Sequence, residues 1–321
     1  MIYLDNHATT PLLPEAYEAM RPYLTEHYGN ASSQHSFGWK AKMAVEKARS
    51  QVAKLFNCSP QQVIFTSGAT ESIHTAAVGW LLKQKDFSHC SFITSQVEHK
   101  ATYGAFQFAE RLGAKIIKIA VTPTGQINQE ELLKSIPTDT PTFVSLIHGH
   151  NEIGTLNPIE EIGKSLSHYE NVTFHVDGAQ SAGKVDIDFE NLKASMLSVS
   201  AHKLYGPKGI GCLLLKNSES IEPLFTGGGQ ERDLRAGTLN VAAIVGFGTA
   251  CEWAHSQGPE HIKNLQTLRD DFFKRIQEKA PHVKINGDLT HRLPHNINLT
   301  LPGVTSDELA DTLLGVAYSG D

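Results

Sequence analysis

Lys203 lies directly after His202 in the stretch SVSAHKLYGPKGIG, residues 198–211, between two apolar runs. Neither a helix face nor a strand pattern requires a lysine at this position. Most lysines are solvated surface residues. A lysine amine in a protected site can instead act as a nucleophile and bond covalently to a carbonyl group. The rest of the sequence decides between a solvated turn residue and a covalent catalyst.

Polar residues of other types also follow segments with strand character. The turn SGATES after VIFT enters a helix whose first N–H groups are free to hold an anion such as phosphate. Taken singly, each position has an ordinary structural explanation, such as a glycine turn, a structural histidine or an aspartate N-cap. Five strand ends in succession, each with a different polar residue, predict one shared site. The polar groups are the N–H groups around Ala69 and Thr70, and the side chains of His99, Asn151, Asp177 with Gln180, and His202 with Lys203.

The composition excludes several classes of protein. The chain has 321 residues, of which 40% are hydrophobic and 19% charged, with a formal net charge of -6. Mixed acids and bases leave no basic stripe for nucleic acid, and neither a signal peptide nor a long apolar span is recognisable. The 4 cysteines are widely spaced, and the 16 histidines show no metal-ligand spacing. We expect a cytoplasmic protein with no metal, nucleic-acid or membrane partner.

Short β-branched runs alternate with helical patterns over the first two thirds of the chain. Several runs are apolar throughout, which indicates strands covered on both faces. Strands separated by helices predict an α/β fold with a mostly parallel sheet. The turn at 203–209 is too short for a parallel crossover, so we expect one antiparallel strand. The predicted strands are residues 62–66, 91–95, 115–121, 142–148, 171–176, 195–200 and 210–215.

The pattern changes from about Asn240 onward. Two long helical segments are followed by the short apolar run HNINLTL and a helix start, SDELADTL. This order predicts a second, smaller α+β domain. We expect an N-terminal segment over 1–13 that packs with this small domain, a large domain over 14–250, and the small domain over 251–321.

The polar residues at the strand ends fit a single ligand. In an α/β sheet the ligand binds beyond the carboxyl ends of the strands. A phosphate site, an aspartate that can stay ionised, a lysine that can form a Schiff base and an aromatic ring that can stack are together what pyridoxal 5'-phosphate (PLP) requires. Nucleotide binding is disfavoured, because GPKGIG is not a dinucleotide fingerprint that opens a helix and GGGQE lacks the Lys-Ser/Thr pair of a P-loop.

Along essentially its whole length the sequence resembles the cysteine desulfurases of the NifS/IscS type, in the class V aminotransferase group of fold-type I PLP enzymes. The resemblance implies a large domain with a mixed, mostly parallel seven-stranded sheet and helices on both faces. It also implies a homodimer with active sites at the subunit interface. The matching segments are YLDNHATTPLLPE, YGNASSQHSFG, VIFTSGATESIH, VEHKA, HNEIGT, HVDGAQSAGK, SAHKLYGPKGIGCL and GGGQERDLRAGTLN.

The resemblance further implies a reaction and its purpose. Sulfur passes from L-cysteine to an enzyme cysteine as a persulfide, and L-alanine is left. The sulfur then serves iron-sulfur cluster or other sulfur-compound biosynthesis, with a sulfur-acceptor protein as a possible partner.

The resemblance also implies catalytic and ring-binding roles for residues at the strand ends. Lys203 is implied to be the Schiff-base lysine, and Asp177 the partner of the pyridinium nitrogen. Gln180 is implied to contact the phenolic oxygen, and His99 to stack on the ring and take part in catalysis. A carboxylate beside the ring nitrogen raises the pKa of that nitrogen, and a screened site lowers the pKa of a lysine, so these roles are physically consistent.

The phosphate contacts and one further cofactor-binding position are implied in the same way. Thr238, in RAGTLN, is implied to reach the phosphate of the other subunit. Asn151 matches the second asparagine of the family's Asn-Asn-Glu motif, and His150 replaces the first. The residues implied to hold the phosphate within one subunit are Ala69, Thr70, Ser200 and His202.

The sequence departs from the family pattern in its cysteines. In the family the sulfur-accepting cysteine lies in a mobile loop shortly after a stretch that resembles LLGVAYSGD, where the present sequence ends. We therefore expect the small domain to be incomplete here. The family's carboxylate-binding arginine also has no recognisable counterpart. The cysteines of the sequence lie after a helix, at a strand edge, within a strand and within a helix, at Cys58, Cys90, Cys212 and Cys251.

These departures leave two alternatives open. The first is another class V enzyme, either an aminotransferase or a selenocysteine lyase. The second is a PLP-binding scaffold protein without catalytic activity, which the missing cysteine permits. If the desulfurase interpretation holds, we expect this chain to bind PLP and to release almost no sulfide unless a thiol is added.

Overall fold

The computed structural model describes residues 1–320, in which helices surround a central β-sheet. The helices in this range are α1 (Pro14–Thr25), α2 (Ser36–Leu55), α3 (Ala69–Leu82), α4 (Lys100–Arg111), α5 (Gln129–Lys134), α6 (Ile159–Leu166), α7 (Val241–Ser256), α8 (Gly258–Lys279) and α9 (Ser306–Thr312). The strands are β1 (Ile2–Tyr3), β2 (Val63–Thr66), β3 (Ser91–Ser95), β4 (Lys115–Ile119), β5 (Thr142–Ile147), β6 (Val172–Asp177), β7 (Met196–Ser200), β8 (Gly211–Leu215), β9 (Lys284–Ile285), β10 (Leu299–Thr300) and β11 (Val316–Ala317).

The central sheet has seven strands in the order β2-β8-β7-β6-β5-β3-β4. Its neighbouring strands are parallel except at β8, which runs antiparallel to both β2 and β7. The connection between β7 and β8 is short, and a short turn reverses the chain because a parallel crossover needs about a dozen residues or more. The predicted α/β fold, with a mostly parallel seven-stranded sheet and one antiparallel strand, is therefore confirmed.

Helices cover both faces of this sheet, because successive side chains of a strand point to opposite sides. On one face, Ile64 of β2 and Phe92 of β3 belong to a buried cluster with residues of α3 and α4. On the other face, the next residues along these strands, Phe65 and Ile93, belong to a cluster with residues of α2, α6 and α7. Burial on both sides explains why the strands are apolar throughout in the sequence.

The chain reverses its direction across the sheet between β3 and β5. From β3 it continues outward to β4, and from β5 it continues the other way to β6 and β7. Ligands of open α/β sheets bind at such a switch point, beyond the carboxyl ends of the strands. The carboxyl ends of β3, β5, β6 and β7 therefore define where a site is expected.

The N-terminal segment lies across the turn that follows β7. Thr10 N donates to His202 O at 2.9 Å, and Leu13 N donates to Tyr205 O at 3.0 Å. At its start the segment pairs in parallel with a strand near the other end of the chain, β1 with β11. These contacts bring the backbone of residues 7–10 to the carboxyl end of β7.

The predicted domain boundary falls inside a helix. Residues 250 and 251 both lie within α7, which packs against α1 and α2. The division into 1–13, 14–250 and 251–321 stays a prediction, and Asp321 lies outside the described residues. None of the helices in residues 1–320 has the length and apolar content that spanning a bilayer takes.

Candidate active site

Lys203 is the last residue of a 3₁₀ turn, Ala201–Lys203, that follows β7. Its Nζ donates hydrogen bonds to the backbone oxygens of His7 and Ala8, with a distance of 2.9 Å to Ala8 O. The pKa of Lys203 is lowered, because the cost of burying the ammonium exceeds the attraction of nearby carboxylates. A lysine in these surroundings releases its proton more readily than a solvated lysine, as a nucleophile must.

The turn after Lys203 is held in one conformation. Tyr205 has a left-handed backbone with φ 65°, and its N–H donates to Thr10 Oγ1 at 2.8 Å. A Cβ at Gly206 would lie 2.9 Å from Ala201 O, so this close approach requires glycine. The glycine-proline turn in the sequence therefore fixes the backbone from which the Lys203 side chain projects.

Asp177 is the last residue of β6, and it is buried. Its Oδ1 accepts a hydrogen bond from Ala179 N at 2.9 Å, whereas Oδ2 has no hydrogen-bond partner among the described residues. Burial raises the pKa of Asp177, and the hydrogen bond from Ala179 N, together with the electrostatic influence of His99 and Lys203, opposes that rise. These interactions indicate that the side chains of Asp177, His99 and Lys203 lie near one another. The free oxygen can accept a hydrogen bond from a protonated ligand nitrogen.

His99 and Gln180 follow the ends of β3 and β6. His99 is the N-cap of α4, and its Nδ1 accepts a hydrogen bond from Ala101 N at 3.1 Å, which fixes the position of an otherwise exposed ring. Gln180 is buried, and its Nε2 donates to His7 O at 2.9 Å. The structure thus holds a ring with an exposed face and an oriented amide at the same edge of the sheet.

The candidate phosphate site lies between the start of α3 and the end of β7. Helix α3 begins at Ala69, and no described side chain caps its first turn, so the N–H groups of Ala69 and Thr70 lack an intrahelical acceptor. A Cβ at Gly68 would lie 3.6 Å from Ser200 Oγ, which places this hydroxyl beside the helix start. Ser200 Oγ has no hydrogen-bond partner within residues 1–320.

His202 lies two residues after Ser200, in the turn Ala201–Lys203. Its Nδ1 is 3.1 Å from Thr9 Oγ1. Its pKa is lowered to about 4 by burial and by the positive charges of Lys203 and Lys208. At neutral pH the ring is therefore uncharged, and it can serve a phosphate as a neutral hydrogen-bond donor.

Two of the predicted cofactor residues, Asn151 and Thr238, form no hydrogen bond with the other site residues in the described chain. Asn151 lies in the turn after β5, where its Nδ2 donates to Glu152 Oε1 at 3.3 Å. Thr238 is exposed in the loop between β8 and α7. This loop is tied to the first turn of α3 by Arg235, whose Nε donates to Glu71 Oε1 at 2.8 Å. Roles for Asn151 and Thr238 in cofactor binding stay predictions.

His7 also lies at the site, although the sequence pattern does not predict it as a site residue. Its ring contacts Gln180, and its backbone oxygen accepts from Gln180 and Lys203. In sequence His7 and Gln180 are 173 residues apart. The segment YLDNHATTPLLPE shows no strand-end pattern, so only the tertiary structure reveals this contact.

The residues at the site fit PLP by their chemistry. The start of α3 offers N–H donors without acceptors, next to the unpartnered hydroxyl of Ser200. A buried carboxylate with one free oxygen, Asp177, can pair with a protonated ring nitrogen. Lys203 supplies an amine of lowered pKa. Phosphate, ring nitrogen and aldehyde each therefore have a matching group in the site.

The fold and the position of the site define the chain as a member of the fold-type I class of PLP enzymes. The family model for class-V aminotransferases matches residues 2–316. A cysteine desulfurase IscS from Dictyoglomus turgidum is 41% identical over 310 residues, which cover 96% of this chain and 77% of that protein. A mitosomal cysteine desulfurase from Trachipleistophora hominis is 43% identical over 328 residues, which cover 99% of this chain and 74% of that protein.

A solved structure gives the same result. A NifS-like protein superimposes with a TM-score of 0.92 and 34% identity, covering 98% of this chain and 85% of that chain. The chain therefore belongs to the class-V aminotransferase family, in its cysteine desulfurase branch.

Proposed function

We propose that the chain binds PLP through Lys203 and uses it to take sulfur from L-cysteine, releasing L-alanine. The observation that supports this most strongly is the cluster of Lys203, Asp177 and His99 at the carboxyl edge of the sheet. It lies in a chain that is 41% identical to a cysteine desulfurase over nearly its whole length. The metabolic purpose of the sulfur, including iron-sulfur cluster biosynthesis, belongs to the same proposal.

The roles of the residues follow from their surroundings. When bound, PLP supplies an electron sink that stabilises negative charge on the substrate Cα. Asp177 Oδ2 would hold the proton on the ring nitrogen, and this pairing would keep the buried carboxylate ionised. Lys203 Nζ, with its lowered pKa, would accept and return the proton of the substrate Cα. The exposed ring of His99, fixed by its N-cap hydrogen bond, would stack on the cofactor.

The phosphate would be held at the start of α3. The N–H groups of Ala69 and Thr70, the hydroxyl of Ser200 and the neutral ring of His202 are the donors available there. An anion at a helix N-terminus is also favoured by the helix dipole. These contacts would orient the cofactor before the amine of Lys203 reacts, and Asn151 would contribute from the end of β5.

We also propose a homodimer, in which Thr238 reaches the phosphate of the second subunit. Large apolar side chains are exposed in and before α2, including Tyr28, Trp39 and Met43, which are 73%, 61% and 70% exposed. Exposed apolar side chains of this size are typical of protein interfaces. If the site is shared, Thr238→Val should weaken PLP binding and dilution into monomer should do the same. Equal affinity in monomer and dimer would contradict the shared site.

The four cysteines of the chain are poor candidates for the group that accepts the sulfur. Cys90, Cys212 and Cys251 are buried and Cys58 is partly buried. Burial raises the pKa of all four thiols, that of Cys58 to about 12. A persulfide forms on a thiolate that can reach the substrate sulfur. The four cysteines are buried or partly buried and have raised pKa values, so they do not supply such a thiolate. We infer that the acceptor is a thiol other than these four.

We further propose a cytoplasmic location, as the sequence predicts, although one relative is mitosomal.

The reaction can be tested without the acceptor thiol. PLP-loaded protein incubated with L-cysteine in D₂O should place deuterium on the substrate Cα, and Lys203→Ala should abolish this exchange. Lys208→Ala is the matched control, because Lys208 is an exposed lysine of the same turn. With added dithiothreitol the parent protein should release sulfide and alanine. Release of a keto acid instead would identify an aminotransferase, and no exchange by the parent protein would contradict the proposal.

A further inference from the structure

A chain of hydrogen bonds connects the C-terminal part of the molecule with the candidate active site. It runs from Arg292 through Asn296 and His7 to Gln180. Arg292 and Asn296 are buried. Each of the inner side chains can both donate and accept, so the direction of the hydrogen bonds must be worked out from the ends.

The first end is a group that can only donate. The guanidinium of Arg292 carries no acceptor, and its Nη2 donates to Asn296 Oδ1 at 2.6 Å. The amide nitrogen of Asn296 therefore faces the other way, where it donates to Glu152 O at 2.8 Å and lies 3.1 Å from His7 Nε2. Because a backbone oxygen can only accept, the contact with Glu152 independently fixes this orientation. His7 Nε2 must then be the acceptor.

The second end leads to the same conclusion. Gln180 Nε2 donates to His7 O at 2.9 Å, and this backbone oxygen can only accept. The carbonyl oxygen of the Gln180 amide therefore faces the His7 ring, 3.2 Å from Nδ1. Nδ1 must carry the proton. Both ends require a neutral His7 with its proton on Nδ1, and the opposite tautomer would place two donors face to face at one nitrogen and two acceptors at the other.

The surroundings of His7 agree with a neutral ring. Burial lowers the pKa of His7 to about 4, and the positive charges of Lys203 and Lys184 act in the same direction. Hydrogen bonding to Gln180 and the charge of Asp5 oppose this change but are smaller. The ring of His295 stacks on that of His7, with centroids 4.5 Å apart and planes at 14°, and restricts its rotation.

We propose that His7 is a positioning residue that sets the orientation of the Gln180 amide. With its carbonyl oxygen bonded to His7 Nδ1 and one N–H bonded to His7 O, Gln180 has a single N–H left, and this N–H is the group it offers to a ligand. If Gln180 contacts the phenolic oxygen of PLP, a point that rests on the proposed function, the cofactor receives a donor there. A flipped amide would offer an acceptor, which disfavours the ionised oxygen.

The tautomer of His7 tests this inference directly and needs no cofactor. Long-range ¹⁵N–¹H correlation spectra of the full chain at pH 7, assigned by comparison with His7→Gln, should show His7 protonated on Nδ1 alone. A proton on Nε2, or on both nitrogens, would overturn the inference. A protein that binds no PLP would refute the proposed function and leave this measurement valid, so the two failures can be told apart.

A second measurement uses the absorbance of bound PLP. His7→Leu keeps the backbone oxygen that accepts from Gln180 Nε2 but removes the imidazole partner of Gln180 Oε1. The amide is then held at one end only, and the pH midpoint of the cofactor band should rise by up to about one unit, because the donor to the ionised oxygen is less firmly oriented. His7→Gln can donate to Gln180 Oε1 and accept from Asn296, so it should restore most of the parent value. His295→Phe keeps a ring stacked on His7 outside the hydrogen-bond chain and should not shift the midpoint. An unshifted midpoint in His7→Leu, or an equal shift in His295→Phe, would overturn the inference.

Discussion

Replacing Glu231 with glutamine should destabilise the protein by breaking a buried ion pair. Glu231 Oε1 accepts from Arg49 Nη2 at 2.7 Å, and Oε2 accepts from Arg49 Nη1 at 2.9 Å and from Phe65 N at 2.7 Å. The side chains are only 4% and 0% exposed for Arg49 and Glu231, respectively. Glutamine has one oxygen for these three donors, so its amide nitrogen would face at least one of them.

The size of the effect follows from what remains around Arg49. Removing one partner of a buried pair costs about 3–5 kcal/mol, because the other charge stays buried. Glu46, half exposed, still lies 3.2 Å from Arg49 Nε and would recover about 1 kcal/mol or less. We therefore expect Glu231→Gln to lower the free energy of unfolding by about 3 kcal/mol.

The same pair holds a strained loop. Glu231, Arg232 and Asp233 are consecutive non-glycine residues with φ of 48°, 58° and 65°. A left-handed backbone costs roughly 1–2 kcal/mol per such residue, and the ion pair is the contact that offsets this cost at Glu231. Without it the loop that leads to Thr238 should relax and open. Trypsin should then cut after Arg232 faster than in the parent protein.

Urea unfolding at pH 7 and a time course of trypsin cleavage measure these two effects. Glu130→Gln is the control, since Glu130 forms an exposed ion pair with Lys134 and should change stability by no more than about 0.5 kcal/mol. If the free energy of unfolding of Glu231→Gln lies within about 0.5 kcal/mol of the parent value and trypsin cuts both at the same rate, the ion pair neither stabilises the protein nor holds the loop.

Three further predictions follow from the buried groups. Asp177→Asn should keep bound PLP but slow deuterium exchange at the substrate Cα at least about tenfold, as ¹H NMR would measure, because the ring nitrogen loses its carboxylate; an unchanged rate would remove Asp177 from that role. Burial lowers the pKa of His175 to about 3, whereas in the unfolded chain this histidine takes up a proton below about pH 6.5. The unfolded state therefore binds more protons, and the stability of the protein decreases as the pH is lowered. Between pH 6.5 and 4.5 this site should cost about 2 to 3 kcal/mol of stability, so the free energy of unfolding of His175→Asn, measured with urea at the two pH values, should fall by about that much less than in the parent protein. Mass spectrometry after turnover should find no persulfide on the four cysteines, including Cys58, the least buried; a persulfide there would show that burial does not exclude it.

Much of the fold can be predicted from local sequence. The apolar, β-branched runs predict the strands of the central sheet, because a strand buried on both faces needs few polar residues. The short 203–209 turn predicts the antiparallel β8 for a geometric reason. The strand-end pattern likewise singles out Lys203 and Asp177, since ligands bind at that edge of such sheets.

The remainder depends on contacts between distant parts of the chain. Arg49 and Glu231 are separated by 182 residues, and no local pattern marks either as a partner of the other. His7 reaches Gln180 only because the N-terminal segment crosses the turn after β7. Its tautomer further depends on Asn296, near the opposite end of the chain. Patterns with a period of two or 3.6 residues carry no information on such pairs.

Lys203 is the residue proposed to carry the cofactor. The test is reduction of the PLP-loaded protein with borohydride, which makes the lysine–cofactor bond permanent, followed by proteolysis and mass spectrometry of the peptides. The pyridoxyl mass should appear on the peptide that contains Lys203 and on no other, and Lys203→Ala should lose it while Lys208→Ala retains it. A label on another lysine, such as the buried Lys184, whose pKa is lowered to about 7, would show that Lys203 is not the lysine that binds PLP.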